Sequence, residues 1–117
     1  MSTVTPDPKP RPRLRLRGQN YGNFIFEFLR AHRTCELCGK RPAETFHHVV
    51  PRGQGGDDVE ENGAALCGDG VALCHGRVEH SAEARGELRY RLRTEVVLYA
   101  IERKGLGWFD RRYPVTA

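Results

Sequence analysis

His47 and His48 stand side by side in AETFHHVV (residues 43–50), ahead of Pro51 and a Gly-rich, acidic loop, and His75 follows directly on Cys74. An imidazole titrates close to neutral pH, so each ring can ligate a metal or accept a proton. The segment is rich in β-branched and aromatic residues and ends at a proline, which predicts a strand. Successive strand side chains face opposite ways, so one ring can hold a metal while its neighbour does a different job a few ångströms away. Two ordinary strand histidines would look the same in isolation. That reading leaves Asn62, His75 and the cysteines as coincidences.

The four cysteines fall into two pairs, Cys35-x2-Cys38 and Cys67-x6-Cys74. Two separated pairs suit a tetrahedral four-thiolate Zn²⁺ site that pins one turn to a distant strand and helix. The first spacing is the stronger signal, and Gly68 and Gly70 give the longer gap room to bulge and return. Buried free thiols and an iron–sulfur cluster are the alternatives. Four thiolates close the zinc coordination sphere, so this ion would be structural and any chemistry must come from elsewhere.

A chain of 117 residues with 38% apolar residues makes one small domain with a thin stability margin, and a metal staple would add to it. No apolar run approaches a membrane span. No charged-then-apolar leader is seen, so a cytoplasmic location with reduced cysteines is expected. Net charge is +4 and sits at one end: Lys9, Arg11, Arg13, Arg15 and Arg17 oppose only Asp7 in the first 17 residues. The rest of the chain balances its charges. Residues 1–20 are expected to form a basic, disordered arm, whose Arg11, Arg13, Arg15 and Arg17 suit DNA phosphates. A merely solubilising tail is the alternative.

The elements that must position these groups follow from local signals. FIFEFLRAHR (residues 24–33) reads as a short helix with Asn23 as its cap and His32 on its surface. Gly39 supplies the tight turn after Cys38. AALC (64–67) reads as a second strand, and the chain from about His75 through residue 92 as a helix. Thr94 can cap a further helix whose Val97, Leu98 and Ile101 share a face and which Gly105 ends. Trp108 and Phe109 are expected to cover the core, although Arg111, Arg112 and Tyr113 beside them could touch nucleic acid.

Taken in order, HHVVP-x3-GG, Asn62, LC and CH resemble the HNH endonucleases, and the cysteines resemble their four-cysteine zinc-knuckle branch. LCGDGVALCHGRVE (residues 66–79) is similar to phage-encoded members. The resemblance is close over residues 35–80 and loose over 81–114. It implies an α+β fold: a small ββα-metal nuclease core with a structural zinc knuckle and flanking helices, spanning residues 21–117. It implies that His48 is the general base, and that His47 and His75 bind a catalytic divalent metal (Mg²⁺, Mn²⁺, Ni²⁺ or Zn²⁺). Asn62 would hold the loop around His48 or join the metal shell. Double-stranded DNA would be cut to 5′-phosphate and 3′-hydroxyl ends, with a phage terminase or other packaging protein as partner and no membrane. Relatives often carry His four residues after the helix histidine. Here that position is Glu79, while His80 is rotated about 140° from His75 on an ideal helix, so Glu79 ranks above His80 as third ligand. A carboxylate favours Mg²⁺ or Mn²⁺; a third imidazole would favour Zn²⁺ or Ni²⁺. Arg52 is expected to contact DNA, with Gly53, Gly55 and Gly56 allowing close approach to phosphate and Asp57, Asp58, Glu60 and Glu61 facing outward. The other readings are a zinc-stapled DNA-binding module without cleavage and a toxin-like nuclease.

Overall fold

Two short strands, β1 (Thr45–His48) and β2 (Gly63–Leu66), form an antiparallel ribbon in the computed structural model, which describes residues 14–115. Their register sets His47 opposite Ala64 and His48 opposite Gly63. Helix α1 (Gly18–Ala31) precedes the ribbon, and α2 (Leu73–His80), α3 (Ala82–Arg89), α4 (Thr94–Lys104) and α5 (Leu106–Arg112) follow it. A mixed helical and two-stranded α+β architecture is therefore what the sequence builds. Among the described residues, no helix is long and apolar enough to cross a membrane.

The ribbon has a separate apolar cluster on each face. On one, Phe46 and Ala65 meet Phe28 and the partly buried Phe24, Ile25 and Leu29 of α1. The Phe46 ring lies edge-on to Phe24 and Phe28, with centroids 5.2 and 4.7 Å away, an arrangement worth about 1 kcal/mol per pair beyond area burial. The other face belongs to the main core, where Val49, Val50, Leu66, Val78, Leu88, Val96, Phe109 and Tyr113 are buried. Strand alternation thus sends His47 toward the main core and leaves His48 on the side of Phe46, whose ring is 4.7 Å away.

Several element boundaries differ from the sequence expectation. Helix α1 begins at Gly18, well before Asn23, and its cap residue Arg17 makes no side-chain capping bond. Tertiary contact holds this early turn: the Arg52 guanidinium lies 4.6 Å from the Tyr21 ring centroid. An arm reaching residue 20 therefore meets helix from Gly18, and residues 14–17 run beside the loop as described below. The single helix expected after His75 is two, because Ser81 breaks it and accepts a hydrogen bond from the Ala84 amide as the cap of α3. In α4, Arg93 rather than Thr94 is the cap residue, and Val96 and Ala100 form the buried face while Leu98 is exposed. Gly105 ends α4 with φ +94°, a conformation suited to glycine.

Candidate active site and metal centres

The first pair of cysteines lies in a turn closed by a bridge between Thr34 and Pro42, with Gly39 in a left-handed conformation immediately after Cys38. The second pair leaves β2 at Cys67 and enters α2 at Cys74. Gly68 makes that path feasible: its φ is +81°, and a Cβ there would stand 2.2 Å from the Ala72 carbonyl oxygen. The four sulfurs lie within 4.8 Å of one another and fit a zinc knuckle. Their surroundings differ. Amide N–H groups of Arg41 and Lys40 pull the Cys38 thiol down to about 6, whereas burial pushes Cys67 and Cys74 up.

A second group of donors converges where β1 faces α2. Nδ1 of His47 and Nε2 of His75 each stand 3.1 Å from the same Glu79 oxygen, Oε1, and the two ring centroids are 5.5 Å apart. His75 and Glu79 meet because they are one helical turn apart on α2. Burial lowers the pKa of His47, so its ring is neutral at pH 7, the form that ligates metal. Two imidazoles and a carboxylate within 4.8 Å can hold a divalent ion while leaving coordination positions open. His80 lies apart, donating from Nε2 to the Gly70 carbonyl at 3.0 Å.

His48 has a different environment. Its Nε2 is 2.8 Å from Oδ1 of Asp58, a carboxylate that also accepts from Arg52 (2.6 Å to Oδ2) and from the Leu16 amide (2.8 Å). Burial alone would raise the Asp58 carboxyl, but these donors outweigh it and set its pKa at about 2. Burial lowers the His48 pKa and the Asp58 charge only partly offsets this, so the ring is neutral at pH 7. An ionised Asp58 can only accept, so Nε2 carries the proton and Nδ1 keeps its lone pair.

The loop is held by Asn62, which is fully buried. Its side chain accepts from the Val50 amide at 2.8 Å and donates to the carbonyls of Val50 and Asp57 at 3.0 and 2.9 Å. Asn62 thus fastens the two ends of the loop, with both its side-chain oxygen and its nitrogen engaged by backbone groups. Gly56 is needed for that closure, since a Cβ would stand 1.8 Å from the Val50 oxygen. The close approach at Gly56 is to the protein's own backbone.

The acidic run corrects one expectation. Glu60 and Glu61 are exposed, but Asp57 and Asp58 are buried. Outward placement is the expectation for all four, whereas Asp57 accepts from the Tyr99 hydroxyl and the Leu14 amide, and Asp58 from the donors above. His32 is likewise only partly exposed, with Nε2 3.2 Å from Glu60 and 3.0 Å from Arg93.

A cavity of about 320 Å³ joins the two histidine environments, with His48, Arg52, His75, Glu79 and Arg112 in its wall. Arg15 and Arg17 line a neighbouring hollow that also reaches Arg52. Arg11 and Arg13 lie outside the described residues. Sequence reasoning missed Asp58, Thr45 and Tyr113 as partners of the histidines. Asp58 carried a signal, an acid between Arg52 and Asn62, but Tyr113 sits 66 residues from His47 and nothing in its neighbourhood points back to β1.

Residues 35–81 match the family model described as HNH endonuclease. No curated protein and no solved structure matches the chain.

Proposed function

Starting from an HNH endonuclease domain at residues 35–81, with four clustered cysteines that fit its zinc knuckle, we propose that the protein is a metal-dependent endonuclease. It hydrolyses DNA phosphodiester bonds to 5′-phosphate and 3′-hydroxyl ends. The observation that carries this reading is the shared cavity, which sets a neutral His48 beside the His75–Glu79 donors and between two arginines. Nδ1 of His48 accepts a proton from the attacking water, while Asp58 holds the ring's other nitrogen. Arg52 and Arg112 receive the phosphate oxygens from opposite elements. His47, His75 and Glu79 hold the divalent ion, and Asn62 keeps His48 in register by fixing the loop. When bound, that ion polarises the phosphate and stabilises the leaving oxygen. Cys35, Cys38, Cys67 and Cys74 hold a structural Zn²⁺. The similarity of residues 66–79 to phage-encoded members supports a place beside phage packaging proteins such as the terminase.

Supercoiled plasmid incubated with Mg²⁺, Mn²⁺ or Ni²⁺ tests the proposal. Wild type should cut, and His48→Ala should lower the rate by about 10²-fold or more while keeping its zinc content and DNA affinity. Wild type that binds plasmid but never cuts it would identify a zinc-stapled DNA-binding module instead.

A further inference from the structure

Each histidine of the candidate metal site touches a hydroxyl whose own proton is already committed. The Tyr113 hydroxyl donates to the Val49 carbonyl at 2.7 Å and stands 3.0 Å from Nε2 of His47. The Thr45 hydroxyl donates to the Gly68 carbonyl at 2.8 Å and stands 2.7 Å from Nδ1 of His75. A carbonyl cannot donate, and a hydroxyl has one proton. The short contacts to the rings are therefore hydrogen bonds only if the rings donate, His47 from Nε2 and His75 from Nδ1. In the neutral imidazoles the opposite nitrogens, Nδ1 of His47 and Nε2 of His75, then carry lone pairs. Those are the two atoms that meet Oε1 of Glu79.

We infer that Tyr113 and Thr45 are positioning residues that fix opposite tautomers in the two histidines, so that three lone-pair donors converge and only a cation satisfies them together. Tyr113 lies beyond the matched segment, in the turn after α5. The C-terminal extension thereby completes the metal site as well as covering the core. Without the Tyr113 hydroxyl, the His47 proton is better placed on Nδ1, where Glu79 accepts it. An incoming ion then has to displace that arrangement.

The inference rests on the metal-site reading above, and two measurements on the zinc-loaded full chain separate their failures. Long-range ¹H–¹⁵N spectra at about pH 8, without added divalent metal, report the tautomers of neutral imidazoles directly. Wild type should show His47 protonated at Nε2 and His75 at Nδ1. Tyr113→Phe should move the His47 proton to Nδ1, Thr45→Val should disturb His75 alone, and Thr45→Ser should restore it. In calorimetric titrations with Mn²⁺, Tyr113→Phe should bind about tenfold or more weakly at unchanged zinc content, at a temperature where it is still fully folded despite losing the buried bond to the Val49 carbonyl. Neutral wild-type His47 protonated at Nδ1, or Tyr113→Phe binding Mn²⁺ as tightly as wild type, overturns the inference. Wild type that takes up no Mn²⁺ overturns the metal site itself, whatever the tautomers.

Discussion

Asp58 ties the N-terminal segment, Arg52 and His48 into one network, and its loss should be felt in stability as well as in cleavage. Asp58→Asn keeps the shape but removes the charge and turns one of the two acceptor oxygens into a donor, so the side chain can no longer accept from His48, the partly exposed Arg52 guanidinium and the Leu16 amide together. A cost of about 1–3 kcal/mol is expected by urea unfolding at neutral pH. The pH dependence has a definite sign. The carboxyl pKa is depressed in the folded state to about 2, against about 3.9 unfolded, so its contribution is full above about pH 5 and is lost as pH falls through 4 and on past 2. Wild type should lose more stability than Asp58→Asn across that window, and parallel acid-unfolding curves would contradict the network. Such pairings mark where sequence reasoning stopped. Residue type and local spacing brought His47, His48, His75 and the cysteines into view, while Asn62 entered through the resemblance of the ordered motif to the HNH endonucleases. Asp58 was misread because its compensating donors include backbone amides of residue 16, whose position no side-chain pattern encodes.

At the scale of elements, the ribbon and α2 were legible because Pro51, the β-branched run and the Cys-His pair are local signals. The start of α1 and the break between α2 and α3 were not. Gly18 begins a helix because Tyr21 has Arg52 to meet, a contact formed only after the chain folds back, while the cap at Ser81 was hidden in a segment of high helix propensity. The cysteine cluster draws β2 and α2 onto the Cys35–Cys38 turn, alongside the bond from the Glu36 amide to the Ala65 carbonyl and the packing of Leu37 in the core. Binding free energies of structural zinc are on the order of 10 kcal/mol, comparable with the whole stability of a domain this size. Stripping the ion with a strong chelator at neutral pH should therefore abolish the cooperative thermal transition, and Zn²⁺ should restore it. The helix signal by circular dichroism follows both steps. A melting curve indifferent to chelation would mean that the thiols are packing residues and that the core alone holds the ribbon to α2.

For the molecule as a whole, the distribution of charge decides how DNA is held. Beyond residue 17 the acids and bases cancel, so no general positive field surrounds the domain, and the excess lies in a segment that ends where residues 14–16 run against Asp57 and Asp58. Arg15 and Arg17 line a hollow shared with Arg52, which places the base of the segment next to the cavity. Removing residues 1–13 deletes Lys9, Arg11 and Arg13 but leaves the backbone contacts to Asp57 and Asp58 intact. Each phosphate neutralised contributes about 0.9 to the slope of log affinity against log salt, so the slope for duplex binding should shallow by about 2 to 3. Affinity at low salt should fall accordingly, while the rate of cutting at saturating DNA stays near wild type because His48 and the metal donors are untouched. Fluorescence anisotropy across a salt series provides the measurement. Equal slopes for the two proteins would show that DNA is held by the folded surface alone, and the three deleted cations would have no part in binding.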